Sequence, residues 1–232
     1  MNPNRTIEWG IPGLDEVIGG LPENTVTLVY GPPKVGKSIF CYQFALHGLD
    51  MEEQCLYLAV DYGLHQLKQN LLNFDWSMDK YLENKQMYII DVISSLSGAK
   101  FPHSSTHILS SVHDPTDMMI KLGMGTKSLF HNSSGFRSVL DSLTTLLAFN
   151  RDKIVLRLIN AYIRRMKEAS GTSILTYTEG VSDPKIENIL KSSVDNLIFL
   201  DGKTLYLEAV IGEDQFEVPY EINEKGIIVK KN

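Results

Sequence analysis

The sequence is poor in cysteine and has no long apolar run. Its 232 residues include only two cysteines, Cys41 and Cys55. Two thiols do not make the disulfide framework of a small secreted domain, so we interpret both as reduced, buried side chains. No apolar run approaches the roughly 18 residues that a membrane-spanning helix needs, and residues 1–6 lack the apolar core of a signal peptide. We therefore expect a cytoplasmic protein without a membrane span.

The chain also lacks an excess of positive charge. It has 22 lysines and arginines against 28 aspartates and glutamates, which gives a formal net charge of −6. Affinity for nucleic acids rests on neutralising phosphates with Lys and Arg, so this balance disfavours a dedicated nucleic-acid binder but leaves room for a local basic strip. The best candidate strip is Arg164, Arg165 and Lys167. These residues also suit the polar face of an amphipathic helix, which is the interpretation that we favour.

What the sequence does contain is an alternation of short apolar runs with helical patterns. This order is typical of an α/β fold, in which helices flank a mostly parallel central sheet. Apolar runs predict strands at residues 25–30, 55–60, 87–92, 137–142 and 172–178, and helical spacing predicts helices at 38–46, 64–72 and 154–166. The pair Asp201-Gly202 predicts an antiparallel C-terminal hairpin over residues 197–207. Further edge strands are expected at 216–222 and 227–229.

We expect a single domain over residues 1–232, because domains commonly run to about 250 residues. Residues 94–134 are rich in Ser, His and Gly, and they predict an irregular excursion with one helix that begins near Asp114. Its histidines suggest a zinc site, which we do not favour because no cysteine accompanies them and no helix places two on one face. These histidines are His103, His107, His113 and His131.

One short segment carries a definite mechanism. Residues 31–38 read G-P-P-K-V-G-K-S and match the phosphate-binding P-loop pattern G-x-x-x-x-G-K-[ST] at every required position. A predicted strand leads into the segment and a predicted helix leaves it, so backbone N–H groups and the helix dipole would favour a bound anion. A chance glycine-rich turn is the alternative. The candidate nucleotide-binding residues are Gly31, Pro32, Pro33, Lys34, Val35, Gly36, Lys37, Ser38 and Ile39.

The P-loop pattern gives roles to two of these side chains. Lys37 is expected to reach the β- and γ-phosphates of ATP, and the Ser38 hydroxyl to bind Mg²⁺. A carboxylate near the magnesium is also needed, and Asp141, at the end of a predicted strand, is the candidate. The alternative is that Asp141 caps the start of a helix.

Hydrolysis further requires a group that orients the attacking water. Asp61 follows the predicted strand 55–60, which we place beside the P-loop strand, so its carboxylate would face the γ-phosphate. A cap or turn residue is the alternative for Asp61. Thr178 and Glu179, at the end of a later strand, are candidates for sensing the γ-phosphate, although a turn is the favoured interpretation there.

The segment ahead of the P-loop resembles a known family. Residues 6–22 contain G-I-P-G-L-D and G-G-L-P, and they resemble the opening of the KaiC-like and RadA-paralogue branch of the RecA-superfamily P-loop ATPases. The order of later elements is also similar, more closely up to Asp61 than beyond it. The resemblance implies a RecA-like core that binds ATP with Mg²⁺, often at a subunit interface in a ring or filament, and therefore a homo-oligomer.

The sequence departs from that family at two places. The family usually has two consecutive glutamates after the second strand, the first of which activates water, whereas this chain has Asp61 and Tyr62. A catalytic group misplaced by roughly 1 Å can cost about a hundredfold in rate. Clock-type relatives also carry a basic Lys-x-Arg trio on a late strand, but residues 208–224 contain six acids and no Lys or Arg. An exposed acidic edge that discourages strand pairing is the alternative interpretation of this run.

Three functions remain open. The first is a MgATP-binding protein that hydrolyses ATP slowly, in which Lys37 and Asp61 are catalytic and Ser38 and Asp141 hold the metal. The second is a nucleotide-dependent regulatory or interaction protein with little or no turnover, as the two departures indicate. The third is a recombination-accessory ATPase on single-stranded DNA, which the acidic charge disfavours.

Overall fold

The structure is a computed structural model that describes residues 5–97, 104–130, 135–212 and 214–230. Its strands are β1 (Thr6–Ile7), β2 (Leu21–Pro22), β3 (Val26–Gly31), β4 (Gln54–Ala59), β5 (Met87–Asp91), β6 (His107–Leu109), β7 (Phe136–Asp141), β8 (Gly171–Thr178), β9 (Asn196–Leu200), β10 (Thr204–Ala209), β11 (Phe216–Asn223) and β12 (Gly226–Val229). Its α-helices are α1 (Leu14–Ile18), α2 (Lys37–Asp50), α3 (Leu64–Leu72), α4 (Asp79–Glu83), α5 (Pro115–Phe130), α6 (Leu143–Phe149), α7 (Asp152–Glu168) and α8 (Pro184–Ser193), with a 3₁₀ turn at Ser94–Ser97.

Ten of the strands form one sheet in the order β12-β11-β10-β9-β3-β8-β7-β4-β5-β6. The strands from β9 to β6 in this order run parallel, whereas β10, β11 and β12 continue the sheet antiparallel. The predicted α/β architecture with an antiparallel C-terminal hairpin is therefore confirmed. In the described part of the chain, no helix is both long and apolar enough to cross a membrane.

The strand order corrects one expectation. The P-loop strand β3 pairs with β8 and β9, whereas β4, which precedes Asp61, pairs with β5 and β7. The prediction that the strand before Asp61 lies beside the P-loop strand was wrong, because β8 and β7 lie between them. Strand order in a parallel sheet is fixed by how the crossover helices pack, which the apolar pattern of a single strand does not encode.

Helices cover both faces of the parallel part of the sheet. Helix α2 packs on one face, with Phe40 and Phe44 in a core that includes Trp9 of the N-terminal segment. Helices α5, α6 and α7 contribute to the core on the other face. Every residue of β3 is buried, which explains why its sequence does not alternate regularly between apolar and polar residues, since strands covered on both faces lose that pattern.

The region 94–134 is more regular than the sequence indicated. Helix α5 begins at Pro115, close to the predicted start, and extends to Phe130. The three-residue strand β6 adds a parallel edge beside β5; it was missed because a short strand that contains a histidine has no apolar run. His103 and His131 lie outside the described residues, and within those residues no cluster of three or more His, Cys, Asp or Glu side chains could hold a metal ion.

A buried arginine joins the sheet to the P-loop helix. Arg137 in β7 is 1% exposed, and its guanidinium donates to both carboxylate oxygens of Glu53 at 2.8–2.9 Å. It also donates to the backbone carbonyls of Glu8 and Phe44 at 2.8 and 3.0 Å. The bidentate pair offsets the cost of burying the charge, and the carbonyl contacts fix α2 and the N-terminal segment against β7.

Candidate nucleotide-binding site

The loop between β3 and α2 has a backbone that few residue types could adopt. Gly31 has a φ of 147°, and a Cβ at this position would lie 2.0 Å from the carbonyl oxygen of Leu200. Lys34 and Gly36 have φ angles of 65° and 101°. Glycine is needed at position 31 because the Leu200 carbonyl leaves no room for a side chain, and at position 36 because the backbone is left-handed there. A tight phosphate-binding turn makes the same demands.

Lys37 is the first residue of α2, and its side chain folds back onto this loop. Its Nζ donates to the carbonyl oxygens of Gly31 at 3.0 Å and of Pro32 at 2.5 Å, and its side chain is mostly buried. Burial lowers the pKa of the ammonium group. Three carboxylates partly offset this effect: Asp141, Asp61 and Glu179.

Asp141 lies next to Ser38 in a hydroxyl-rich pocket. Its carboxylate accepts hydrogen bonds from the hydroxyls of Thr176 at 2.6 Å and Tyr57 at 3.4 Å, and the nearby Ser38 side chain also acts to lower its pKa. Burial, with repulsion from Asp61, raises the pKa of Asp141 to about 6 against these hydrogen bonds. Carboxylate and hydroxyl oxygens are ligands that Mg²⁺ prefers, and it usually takes only one or two carboxylates, so this pair fits a magnesium ion.

The position of Asp141 bears on its alternative role as a helix cap. Asp141 is the last residue of β7, and the N-cap position of α6 is occupied by Ser142. The peptide bond between the two is cis. Since Ser142 starts the helix, the Asp141 carboxylate has no capping role there and accepts from Thr176 and Tyr57 instead.

Asp61 reaches the same site despite the distance between β4 and β3. The backbone N–H groups of Val60 and Asp61 both donate to the carbonyl of Asp141 at 2.9 Å. Oδ1 of Asp61 accepts a hydrogen bond from the Ser142 hydroxyl at 2.8 Å and another from the Thr145 hydroxyl. The start of α6 therefore fixes the Asp61 carboxylate beside Asp141, whereas the neighbouring Tyr62 is 44% exposed.

Thr178 is the last residue of β8, the direct neighbour of the P-loop strand, and Glu179 follows it. The Glu179 N–H donates to the Gly31 carbonyl at 3.0 Å, and the Thr178 N–H donates to the hydroxyl of Thr144 at 2.8 Å. Both backbones are thus tied to the site. The Glu179 side chain is exposed and acts electrostatically on Lys37.

Comparison with known proteins identifies the family of this site. The model of the family described as "ATPase: KaiC" matches residues 7–210, a span that contains the P-loop, Asp61, Asp141 and β8. The chain belongs to the KaiC ATPase family. Membership of this family implies nucleotide binding.

The relatives of this KaiC-family chain are similar over almost their whole length. A UPF0273 protein of Pyrococcus furiosus is 30% identical over 97% of this chain and 94% of its own. A UPF0273 protein of Thermotoga maritima is 27% identical over 97% of this chain and 96% of its own. The crystal structure of a KaiC-like protein from Pyrococcus horikoshii has the same fold, with a TM-score of 0.76 at 23% identity and 98% and 99% coverage of the two chains.

Sequence reasoning missed the hydroxyl groups that hold the two acidic residues of this KaiC-family site. Thr176 and Tyr57 bind Asp141, and Ser142 and Thr145 bind Asp61. One signal was available. Thr176 follows the apolar pair Ile174 and Leu175 in β8 and is fully buried, and a buried hydroxyl needs a hydrogen-bond partner.

The strand that corresponds to the one with the basic trio in clock-type relatives carries an acidic residue, and this residue contacts the rest of the same chain. In β10, Glu208 accepts a hydrogen bond of 2.5 Å from the hydroxyl of Tyr30 at the end of β3. A cation, Lys191 of α8, lies over the same tyrosine ring, with its Nζ 3.9 Å from the ring centroid. Glu208 is therefore part of an internal network, which accounts for one of the acids in the run 208–224.

The candidate basic strip on α7 is largely engaged within the protein. Arg165 donates to the Thr126 hydroxyl at 2.9 Å, and Lys167 pairs with Asp195 at 2.6 Å. Only Arg164 of the three is exposed. The strip behaves as the polar side of an amphipathic helix.

Proposed function

We propose that this protein binds MgATP at the loop between β3 and α2 and hydrolyses it slowly. The observation that carries the proposal is the contact of Ser38 with the buried carboxylate of Asp141, next to the ammonium group of Lys37. A structural turn would not need a hydroxyl, a buried acid and a buried lysine at one point. A nucleotide phosphate with its counter-ion requires all three.

In the proposed complex, the backbone N–H groups of residues 34–38, which follow the two prolines of the loop, surround the phosphates, and Lys37 neutralises the β- and γ-phosphates. Ser38 and Asp141 would hold Mg²⁺, which supplies positive charge to the phosphate oxygens when bound. The Asp141 carboxylate is oriented in advance, since Thr176 and Tyr57 donate to it. Such preorganisation lowers the cost of assembling the site when nucleotide arrives.

The proposed role of Asp61 is to orient the attacking water and accept its proton. Ser142 and Thr145 hold Oδ1, so the direction of the carboxylate is set by α6. We attribute slow turnover to two features of the sequence. The aspartate is one carbon shorter than the glutamate expected in the family. Residues 208–212 also contain no Lys or Arg that could stabilise the negative charge of the transferring phosphoryl group.

The same two features favour a second candidate function. A protein that binds MgATP tightly but lacks efficient catalytic groups can use the nucleotide to set its conformation, as a regulatory or interaction protein. The two functions share the binding site and differ only in turnover. A rate measurement therefore distinguishes them.

The experiment measures MgATP affinity and ATP hydrolysis for wild type, Asp61→Asn and Lys37→Ala over a range of protein concentrations. We expect wild type to bind and to turn over slowly, Asp61→Asn to bind normally and lose about a hundredfold in rate, and Lys37→Ala to lose binding. A rate per subunit that rises with concentration would support a site completed by a second copy of the chain.

Each result has a definite meaning for these proposals. Tight binding by wild type with no turnover at any concentration would replace the ATPase with the regulatory function. Turnover that is unchanged in Asp61→Asn would remove Asp61 from the mechanism. Wild-type protein that does not bind MgATP would refute both functions.

A further inference from the structure

The C-terminal hairpin of β11 and β12 lies directly against the nucleotide-binding loop. Tyr220 in β11 is 5% exposed, and its hydroxyl donates to the backbone carbonyl of Val35 at 2.6 Å. The same hydroxyl accepts a hydrogen bond from the Gly202 N–H at 3.0 Å. One side-chain oxygen thus joins the P-loop to the turn between β9 and β10.

The hairpin is also fixed to the helix that follows the loop. The side chain of Gln43 in α2 accepts from the Ile227 N–H at 2.8 Å and donates to the Ile227 carbonyl at 2.9 Å, and both contacts are buried. Ile222 and Ile227 pack so closely on Gly36 that a Cβ there would lie 2.8 and 3.2 Å from their Cδ1 atoms. The hairpin therefore holds its position relative to both the P-loop and α2.

The contact with Val35 has a geometric consequence for phosphate binding. The carbonyl of Val35 and the N–H of Gly36 belong to one peptide unit, which is planar and trans, so the two groups point in opposite directions. Because Tyr220 holds the carbonyl toward the hairpin, the Gly36 N–H points away from the hairpin. A P-loop binds an anion because its successive N–H groups converge on it, so the direction of this N–H matters for phosphate binding.

We propose that Tyr220 is a positioning residue of the nucleotide site, which fixes the Val35–Gly36 peptide in the orientation that phosphate binding needs. This inference rests on the proposed binding of MgATP. It assigns to the C-terminal hairpin a part in that binding, although Tyr220 makes no contact with phosphate itself. Neither the P-loop pattern nor the family match, which ends at residue 210, includes this residue.

The first test measures hydrogen exchange of the loop without nucleotide. Tyr220→Phe removes one hydroxyl and keeps the ring. The matched control is Tyr206→Phe, whose hydroxyl contacts Asp201 at the surface at 3.3 Å. We expect amide exchange of residues 34–38 to be roughly fivefold faster in Tyr220→Phe, the equivalent of one hydrogen bond, with exchange of β4 and β5 unchanged in both variants.

The second test measures MgATP affinity of the same proteins by calorimetry. We expect affinity to fall roughly fivefold in Tyr220→Phe and to change less than about twofold in Tyr206→Phe, since exposed contacts contribute little. Faster loop exchange together with weaker binding supports the proposal. Unchanged loop exchange overturns it, and so does faster exchange with unchanged affinity.

The two tests also separate this proposal from the one on which it rests. If wild type binds no MgATP, the proposed function fails. The exchange measurement then still decides whether Tyr220 positions the loop, because it is made without nucleotide. Faster exchange throughout the sheet, rather than in the loop alone, would assign Tyr220 a general structural role and overturn the proposal.

Discussion

At the scale of single residues, the buried carboxylate of Asp141 sets a conflict between stability and function. Burial and the nearby Asp61 raise the pKa of Asp141 to about 6, compared with an ordinary value near 3.8. At neutral pH the group is ionised in a place that disfavours its charge. The protein without a bound cation therefore carries an energetic cost at the point where a cation would bind.

We predict that Asp141→Asn stabilises the nucleotide-free protein. A raised folded-state pKa means that the folded state binds more protons than the unfolded state between about pH 4 and pH 6, so stability falls over that range. Removing the charge should recover up to about 3 kcal/mol at pH 7.5, measured by urea unfolding. MgATP affinity should fall in the same variant.

Thr176→Val is the matched variant for that prediction. It removes the hydroxyl that donates to Asp141 at 2.6 Å and leaves the carboxylate with one donor fewer. We expect it to destabilise the protein by roughly 1–3 kcal/mol, the opposite sign. A decrease in stability for both variants at pH 7.5 would show that the Asp141 charge is not costly in the folded protein.

The residues of the site differ in how well the sequence predicts them. Lys37 and Ser38 belong to a local motif whose spacing alone implies their chemistry, and they are adjacent in the chain. Thr145 and Tyr57 have no such pattern around them, because a hydroxyl acquires its partner only when distant strands and helices meet. Their contacts with Asp61 and Asp141 span more than eighty residues of sequence.

At the scale of elements, Asp91 at the end of β5 organises the start of α3. Its carboxylate is fully buried and accepts hydrogen bonds from the Leu64 N–H at 2.8 Å and from the Ser94 N–H and hydroxyl at 2.9 and 2.7 Å. His107 Nε2 of β6 lies 3.5 Å away. Burial raises the pKa of Asp91, but the contacts with His107, Leu64 and Ser94 outweigh it and lower the value to about 2.

The stability contributed by Asp91 should depend on pH. Its folded pKa lies below the ordinary 3.8, so the contribution is complete above about pH 5 and is lost as the pH falls toward 2. We predict that Asp91→Asn costs roughly 2 kcal/mol at pH 7 and that the difference from wild type narrows below pH 4. Urea unfolding at a series of pH values measures both quantities.

The control for the pH series is Asp152→Asn, at the exposed start of α7. A surface substitution of this kind is expected to stay within about 0.5 kcal/mol of wild type at every pH. A difference between Asp91→Asn and wild type that stays constant from pH 7 to pH 3 would show that packing, not charge, gives Asp91 its importance.

Replacing each of two glycines in α5 by alanine should change the stability of the protein in opposite directions. A Cβ at Gly123 would meet only the Arg165 side chain at 3.9 Å, whereas a Cβ at Gly125 would lie 2.9 Å from Leu56 and 3.1 Å from Tyr88. We expect Gly123→Ala to stabilise the protein by about 0.5–1 kcal/mol through helix propensity, and Gly125→Ala to destabilise it by about 1–3 kcal/mol through overpacking.

Thermal and urea unfolding of these two variants give the comparison directly. Each substitution acts as the control of the other, since both have the same chemistry in the same helix. Equal effects of the two would mean that α5 does not pack on β4 and β5 as described.

Elements with a strong local pattern were predictable, and those defined by their neighbours were not. The spacing of apolar residues in α7 and the Asp201-Gly202 turn each specify a structure within a few residues. Strand β6 has three residues and gains its identity only by pairing with β5. The position of β4 in the sheet likewise depends on the crossovers around it, so the neighbour of the P-loop strand could not be read from its own residues.

At the scale of the whole molecule, charge limits the partners of the protein. The net charge is −6, and Arg165 and Lys167 are engaged in internal contacts. We predict no measurable binding of single-stranded oligonucleotides even at low salt, where electrostatic binding is strongest. Fluorescence anisotropy during a salt titration tests this. Affinity that falls steeply as salt rises would instead support an accessory role on DNA.

The position of β3 in the sheet has a consequence for how the protein is made. Both strands that pair with β3 come late in the chain, since β8 begins at Gly171 and β9 at Asn196. During synthesis, which proceeds from the N-terminus, the ribosome therefore releases the P-loop strand long before it releases a partner for it. The nascent chain must keep this apolar segment from aggregating, and nucleotide can assist folding only near the end of translation.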